Sequence, residues 1–296
     1  MSYPPSIVHD DGKATTGQAT VPRACGEIAV VIPAFNSAAT VARAVRSCVQ
    51  SDVAVDIVVV DDGSTDDTAA VAASVDAPRL RVISQANAGV CAARNVGAAS
   101  TDAPYLVFLD ADDELLAGSL RRFLDRAAGA PLVRAAITIE RDGIDELHTA
   151  EPPHPTLVHP RGTKATGSFA VSHDAFDRSG GYDTALRYGE NTELLLRLGV
   201  LGRAEGWQVP IIAEPAARIY RQTVGRSDRY GSAPAEAPPY LLERYRNELA
   251  GDREILGDYS AIVGTHLWRT GGRRREVARW WGRAVAARPT SPVAWG

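Results

Sequence analysis

Four short apolar runs, separated by segments with helical spacing, constrain the fold of this chain more than any other feature. The runs occupy residues 28–32, 57–60, 80–83 and 105–109. They are apolar almost throughout and do not alternate with polar residues, which is typical of parallel strands buried on both faces. The pattern predicts an α/β fold with a doubly wound, mostly parallel, Rossmann-like sheet and right-handed crossovers.

A polar cluster directly follows each of these predicted strands. Because ligands of open α/β sheets bind at the carboxyl ends of the strands, the four clusters should meet at one edge. Asn36-Ser37 is expected to cap the first helix, and Ser64 or Thr65 the second. Capping does not explain why acids are paired at two of the strand ends. The clusters are Pro33-Ala34-Phe35-Asn36, Asp61-Asp62-Gly63-Ser64, Asn87-Ala88-Gly89 and Asp110-Ala111-Asp112.

The cluster after the fourth strand is acidic, with carboxylates at Asp110, Asp112 and Asp113. Acids crowded at the end of a buried strand repel one another and lose solvation unless a cation or hydrogen-bond donors compensate. Two acids spaced i and i+2 predict a divalent metal site, since Mg²⁺ and Mn²⁺ prefer oxygen ligands. The alternative is that Asp112, Asp113 and Glu114 only start the following helix, where acids complement the helix dipole.

Several common nucleotide and hydrolase motifs are absent: GxxxxGK[ST], GxGxxG after the first strand, and GxSxG. What remains is a nucleotide site built from loops together with a metal. Asp61 or Asp62 can accept hydrogen bonds from a base or from ribose hydroxyls, and Arg94 can turn toward phosphate or base. Asp110 and Asp112 would hold the metal against a diphosphate, and the metal would neutralise the negative charge that develops as the diphosphate leaves.

The clusters, in their order and spacing, resemble the successive signatures of family-2 glycosyltransferases with the GT-A fold. The resemblance covers about residues 28–225 and includes Gly180-Gly181-Tyr182-Asp183 and Leu186-Arg187-Tyr188-Gly189-Glu190 on the acceptor side. The segments that carry it are Val30-Val31-Ile32-Pro33-Ala34-Phe35-Asn36, Val58-Val59-Val60-Asp61-Asp62-Gly63-Ser64-Thr65-Asp66, Asn87-Ala88-Gly89-Val90-Cys91-Ala92-Ala93-Arg94-Asn95-Val96-Gly97 and Phe108-Leu109-Asp110-Ala111-Asp112-Asp113.

The resemblance implies an inverting, metal-assisted transfer of a sugar from a nucleotide-diphospho-sugar to an acceptor hydroxyl, in polysaccharide or glycoconjugate biosynthesis. A UDP-sugar is the favoured donor, GDP- and dTDP-sugars are alternatives, and the acceptor is not specified. Asp110 and Asp112 match the family's DxD motif, which binds the donor through Mn²⁺ or Mg²⁺. A carboxylate then deprotonates the acceptor hydroxyl, and positive charge develops on the sugar ring. The implied nucleotide-sugar contacts are Pro33, Ala34, Phe35, Asn36, Asp61, Asp62, Gly89, Arg94, Asp110 and Ala111.

Two departures from the family's pattern concern catalysis. The family usually shows Glu-Asp before the late helix, with the aspartate as base, but this chain has Glu190-Asn191 followed by Glu193. An amide cannot accept the proton, so Glu190 or Glu193 takes the role, transfer is slow, or the chain binds a donor without efficient transfer. The family often has a histidine where this chain has Thr223. A nucleotidyltransferase is a further alternative, which the missing Gly-rich, Arg/Lys-containing loop disfavours.

The sequence predicts four units: a disordered leader (1–26), a GT-A domain (27–225), a linker (226–238) and a helical region (239–296). The leader has no apolar core of a signal peptide, and no run of about 18 apolar residues predicts a spanning helix. Three cysteines far apart fit a reduced compartment, so we expect a cytoplasmic location. The net charge of −4 argues against a nucleic-acid partner.

Two later regions are less regular. Residues 142–164 read as a long polar loop, and residues 209–213 and 217–220 as two short strands. The last helix, at 274–288, is amphipathic: it either rests on an anionic membrane at its inner face, or packs on the main domain with its arginines solvated. Its apolar face carries Val277, Trp281, Ala284 and Val285, and the other side carries Arg274, Arg275, Arg279 and Arg283.

Overall fold

The computed structural model describes residues 26–151, 162–221, 233–245, 247 and 253–288. Its nine strands are β1 (Ile28–Ala34), β2 (Val55–Asp61), β3 (Leu80–Ser84), β4 (Tyr105–Phe108), β5 (Glu114–Leu115), β6 (Leu132–Arg141), β7 (Ile144–His148), β8 (Phe169–Ser172) and β9 (Ile211–Tyr220). They form one sheet in the order β3-β2-β1-β4-β8-β6-β9-β5, and β7 pairs with β6.

The helices of the described residues lie on both faces of this sheet and in a C-terminal group. They are α1 (Val41–Val49), α2 (Thr68–Ala73), α3 (Val90–Ala99), α4 (Ser119–Ala127), α5 (His173–Ser179), α6 (Glu190–Glu205), α7 (Ala233–Arg244), α8 (Arg253–Arg269) and α9 (Arg274–Ala287).

The first half of the sheet is parallel, as the apolar runs predict. β1 pairs in parallel with β2 and β4, and β2 pairs in parallel with β3. Every residue of β1 and β2 is buried. Helix α3 packs closely on this layer, because a Cβ added at Gly97 would lie only 2.3 Å from Val31 Cγ1. The expected α/β fold, with a mostly parallel sheet and a helical C-terminal part, is confirmed.

The sequence predicts that the first strand ends before Pro33. In the structure, β1 instead continues through Pro33 to Ala34. The carbonyl of Val31 accepts from Leu109 N–H on the β4 side, while the carbonyl of Ala34 accepts from Asp62 N–H on the β2 side. The backbone groups of successive residues in a strand point to opposite neighbours, so the nitrogen of Pro33 faces β4. Pairing with β4 already ends at Val31. Proline costs no ladder hydrogen bond at this position.

The predicted caps of the first two helices are wrong. Helix α1 begins at Val41 after Thr40, and α2 begins at Thr68 after Asp67, and neither N-cap residue makes a side-chain cap hydrogen bond. The residue types that favour N-caps also suit hydrogen bonds between loops. Asn36, Ser64 and Thr65 make such bonds instead, as the candidate site shows.

Beyond β4 the sheet becomes mixed. β8 is antiparallel to both β4 and β6. The predicted loop at 142–164 is wrong for residues 144–148, because β6 and β7 form a hairpin. Its turn is Asp142-Gly143, with φ angles of 53° and 82°, which suits the twist of paired strands. Residues 152–161 lie outside the described part. The two strands predicted near the end of the sheet are a single strand, β9, with a shifted register beside Ala135 and Ala136.

The C-terminal helices dock on the main domain through α6. Leu196 of α6 forms an apolar cluster with Leu241, Tyr245 and Tyr259, and α9 packs on α8. Helix α7 begins at Ala233, so residues 233–238 of the predicted linker are helical. Residues 226–232 of that linker and residues 1–25 of the predicted leader lie outside the described part. Among the described helices, none combines the length and apolar composition needed to cross a membrane.

Candidate functional site

Hydrogen bonds join the polar ends of β1 and β2. The backbone N–H of Asn36 donates to Ser64 Oγ (2.9 Å), and Asn36 Oδ1 accepts from Thr65 N–H (2.8 Å). Asn36 has a φ of 49°, a left-handed conformation that asparagine tolerates well. Phe35 is 49% exposed at this edge, whereas the two residues before it are buried in β1. The two loops therefore form one wall with an exposed ring.

Asp62 joins the ends of β2 and β3. Its Oδ1 accepts from Gln85 Nε2 (2.7 Å) and from Ala88 N–H (2.8 Å), and its Oδ2 accepts from Gly89 N–H (2.8 Å). Gly89 has a φ of 92°, which a residue with a side chain rarely adopts. Within the described part of the chain, the side chain of Asp61 makes a local contact, in which its Oδ1 accepts from Ser64 N–H (3.2 Å). Of the two adjacent acids, Asp62 organises the loop after β3.

Three carboxylates meet at the carboxyl end of β4, with Ala111 buried among them. Asp110, Asp112 and Asp113 each offer an oxygen, and these oxygens lie within 4.8 Å of one another. The chain then enters β5, and α4 begins only at Ser119. The alternative that these acids merely start a helix is therefore wrong. An all-oxygen cluster of this size suits a hard divalent cation.

Two residues that the sequence does not single out, Arg43 and Tyr220, help to fix the acidic loop. The buried Asp113 accepts the backbone N–H of Tyr220 at Oδ1 (2.9 Å), and Arg43 donates to the carbonyl of Asp112. The Arg43 guanidinium carbon lies 3.9 Å from the centroid of the Tyr220 ring. Nothing in the local sequence signals Arg43 or Tyr220, since both come from distant elements. Asp113 belongs to the predicted acidic cluster but was not among the predicted metal ligands.

Arg94 of α3 connects the acidic loop to helix α6. Its Nη2 donates to Asp110 Oδ1 (2.8 Å), and its Nη1 donates to Glu190 Oε1 (2.9 Å). The guanidinium carbon also lies 5.0 Å from the ring centroid of Tyr182. Burial by itself lowers the pKa of Arg94, but Tyr182, Asp110 and Glu190 raise that pKa well above its usual value. A permanent buried cation therefore bridges two carboxylates 80 residues apart in sequence.

Tyr182 holds the amide that stands at the position of the family's usual base. The Tyr182 hydroxyl donates to Asn191 Oδ1 (2.9 Å). Asn95 binds both backbone groups of Tyr182, donating from Nδ2 to the carbonyl (2.9 Å) and accepting the N–H at Oδ1 (2.8 Å). Burial raises the pKa of Tyr182, so its hydroxyl remains a donor. The side chain of Asn191 is thus part of the network around Arg94.

Glu193 points to a different part of the molecule from Glu190. It is 0% exposed, and Arg197 donates to its two oxygens from Nε (2.8 Å) and Nη2 (2.5 Å). The hydroxyl of Tyr245, directly after α7, also donates to Glu193. The structure therefore brings together Asp110, Arg94, Glu190 and Asn191, and it places Glu193 with the C-terminal helices.

The fold, with its polar loops at one edge of the sheet, is the GT-A fold of solved glycosyltransferases. The structure of S. aureus TarS 1-349 in complex with UDP-GlcNAc aligns with a TM-score of 0.66 and 16% identity, covering 88% of this chain and 80% of that one. The UDP complex of the same protein aligns with a TM-score of 0.62 and 17% identity, covering 88% and 81%. At such identities the likeness concerns the fold.

The chain belongs to glycosyl transferase family 2, whose model matches residues 29–187. Among curated relatives, Rhizobium meliloti succinoglycan biosynthesis protein ExoO is 40% identical over 106 residues, which are 35% of this chain and 30% of that protein. The Campylobacter jejuni GalNAc(5)-diNAcBac-PP-undecaprenol beta-1,3-glucosyltransferase is 31% identical over 123 residues, 40% of each chain. The match thus spans less than half the length of either relative.

Proposed function

We propose that this chain transfers a sugar from a nucleotide-diphospho-sugar to an acceptor hydroxyl, with inversion at the anomeric carbon. The observation that carries the proposal is the acidic cluster of Asp110, Asp112 and Asp113, set at the same sheet edge as Asn36 and Asp62 in a member of this family. The UDP-GlcNAc complex of the structural neighbour supports a UDP-sugar, ahead of a GDP- or dTDP-sugar. The name of the R. meliloti relative supports a role in polysaccharide biosynthesis.

We further propose that Asp110 and Asp112 hold Mn²⁺ or Mg²⁺. Both side chains are partly exposed, whereas Asp113 is buried and committed to Tyr220 N–H. The oxygen donors fit either ion, and a bound cation would neutralise the negative charge of the donor's diphosphate. Arg94 keeps one oxygen of Asp110 in place from the protein side. The chain's own residues thus orient the first acid before any donor arrives.

Glu190 is our proposed general base. Asn191 has no basic oxygen for a proton, and Glu193 is fully buried between Arg197 and Tyr245. Glu190 remains partly exposed next to the acidic loop. Arg94 donates to Glu190 Oε1 (2.9 Å) and to Asp110 Oδ1 (2.8 Å), so it holds this carboxylate beside the acidic loop.

A donor panel tests the proposal most simply. UDP-, GDP- and dTDP-sugars are incubated with the chain and Mn²⁺, and nucleotide release and thermal unfolding are measured. We expect turnover with a UDP-sugar, and its loss in Asp112→Asn. Asp102→Asn is the matched control, because Asp102 is an exposed acid outside the cluster and its substitution should leave turnover unchanged. Absence of turnover, together with no stabilisation by any nucleotide, would refute the proposal; a ligand at 100 times its Kd stabilises by about 2.7 kcal/mol.

The second candidate is a protein that binds a nucleotide sugar without efficient transfer, and the amide at Asn191 is the observation that favours it. Family membership favours the enzyme. Asn191→Asp separates the two, because it supplies a carboxylate without altering the side chain's size. We expect this variant to raise an existing transfer rate at unchanged donor affinity, and Glu190→Gln to abolish the wild-type rate. If the wild type transfers no sugar and transfer appears only in Asn191→Asp, the wild-type chain is a binding protein.

A further inference from the structure

A strongly basic surface lies on the C-terminal helices, outside the candidate site. Residues 269–288 contain seven arginines and one acidic residue, Glu276, a net charge of +6 in a chain whose total is −4. Such segregation of charge marks a surface for an anionic partner. Six of the seven arginines are exposed in the described structure: Arg269, Arg273, Arg274, Arg275, Arg279 and Arg283.

Helix α9 presents a continuous row of these arginines to solvent. Its buried face carries Val277 and Ala284. Arg275, Arg279 and Arg283 are spaced by four residues on the opposite side, so they lie one above another. Among the described residues, no carboxylate lies within ion-pair distance of these three. Their positive charges are therefore not neutralised by ion pairs within the described structure.

An apolar groove adjoins Arg274. The indole of Trp268 is 59% exposed, and its ring centroid lies 5.9 Å from that of Trp281. The two rings border a groove of about 330 Å³ between α8 and α9, which Arg274 and Val277 also line. The surface thus combines clustered cations with an exposed aromatic side chain.

We propose that this surface binds the face of an anionic lipid bilayer. Arg275, Arg279 and Arg283 would contact lipid phosphates, and Trp268 would sit at headgroup depth, where indoles are preferred. Nucleic acid is disfavoured, because the remainder of the chain is strongly acidic and the basic region contains bulky apolar groups. The surface lies outside the candidate site, so the inference does not rest on the proposed glycosyl transfer.

Vesicle flotation of the full chain, without nucleotide or metal, tests this proposal. Phosphatidylcholine vesicles with and without phosphatidylglycerol are compared at low and high salt. We expect binding only to vesicles with phosphatidylglycerol, and its decline with salt. Each basic residue near an anionic surface contributes about fivefold in affinity, so the triple variant R275Q/R279Q/R283Q should bind roughly 100-fold more weakly. Trp268→Ala should bind more weakly too, by severalfold, and this loss should persist at high salt.

The matched control removes three exposed arginines elsewhere, in R46Q/R126Q/R141Q, which changes the net charge equally. Thermal unfolding of both triple variants checks that each is folded. The control should bind like the wild type. Equal binding by the two triple variants, equal binding to neutral vesicles, or selective binding to an RNA oligonucleotide without vesicle binding would each overturn the proposal.

Discussion

Replacing Glu193 by glutamine tests how the C-terminal helices are anchored to α6. Glu193 is completely buried, with both oxygens held by Arg197 and a third hydrogen bond from Tyr245. Glutamine keeps the size of the side chain and removes its charge. The perturbation therefore isolates the ion pair from the apolar packing around it.

The expected loss of unfolding free energy depends on the contacts that Arg197 keeps in the variant. The Arg197 side chain is 17% exposed, so its guanidinium would stay largely desolvated without its anion. Breaking a buried ion pair from one side costs about 3 to 5 kcal/mol. Glutamine retains one carbonyl acceptor, and Arg197 also donates to the carbonyl of Ser179, which points to the lower end, about 3 kcal/mol. The unfolding midpoint should fall by roughly 5 °C.

Urea and thermal unfolding measure this loss, with Glu205→Gln as the control. Glu205 lies at the end of the same helix and pairs with Arg178 at the surface, where ion pairs contribute at most about 1 kcal/mol. Nucleotide affinity should be unchanged in Glu193→Gln, because Glu193 faces away from the acidic loop. If Glu193→Gln is no less stable than Glu205→Gln, the buried pair is not the anchor that we describe.

Three further substitutions follow from the same contacts. Asp62→Asn places an amide among three donors, so nucleotide affinity measured by calorimetry should fall about tenfold or more; unchanged affinity would contradict this role. Gly97→Ala should destabilise by about 1 to 3 kcal/mol in urea unfolding, because its Cβ would meet Val31; a neutral effect would show that the layers can separate. Burial raises the pKa of Cys48 from 9.0 to about 12, so the folded thiol keeps a proton that the unfolded chain loses as pH rises. From pH 8 to 10 the stability of Cys48→Ala should therefore fall by about 1.4 kcal/mol less than that of the wild type, and parallel declines would refute this.

The parallel half of the sheet could be predicted because its signal is local and redundant. Strands buried on both faces leave unbroken apolar runs, and the segments with helical spacing between them contain α1, α2 and α3. The helix caps could not be assigned, since Asn36 and Ser64 are equally suited to capping and to bonds between loops. Only the packing of β1 beside β2 decides between these uses.

The half of the candidate site around Asp110 and Asp112 was more predictable than the half around Glu190, for a physical reason. Asp110 and Asp112 follow a strand whose end the sequence marks, so their common position is fixed by topology. Glu190 and Glu193 lie one turn apart on α6, and helical spacing gives no reason to separate them. Glu190 pairs with Arg94, which is 96 residues away in sequence, whereas Glu193 pairs with Arg197 and Tyr245. These partners are brought together by tertiary packing, which local sequence patterns do not reveal.

Calorimetric titration of UDP, with and without Mn²⁺, tests the central claim most directly. We expect UDP to bind the wild type with Mn²⁺ present and at least tenfold more weakly without it, because under our proposal Asp110 and Asp112 would hold the ion that binds the diphosphate. The double variant Asp110→Asn/Asp112→Asn should bind UDP equally with and without Mn²⁺, while Asp102→Asn should behave as the wild type. Equal Mn²⁺ dependence in the wild type and the double variant would contradict the assignment of this cluster to the donor's diphosphate.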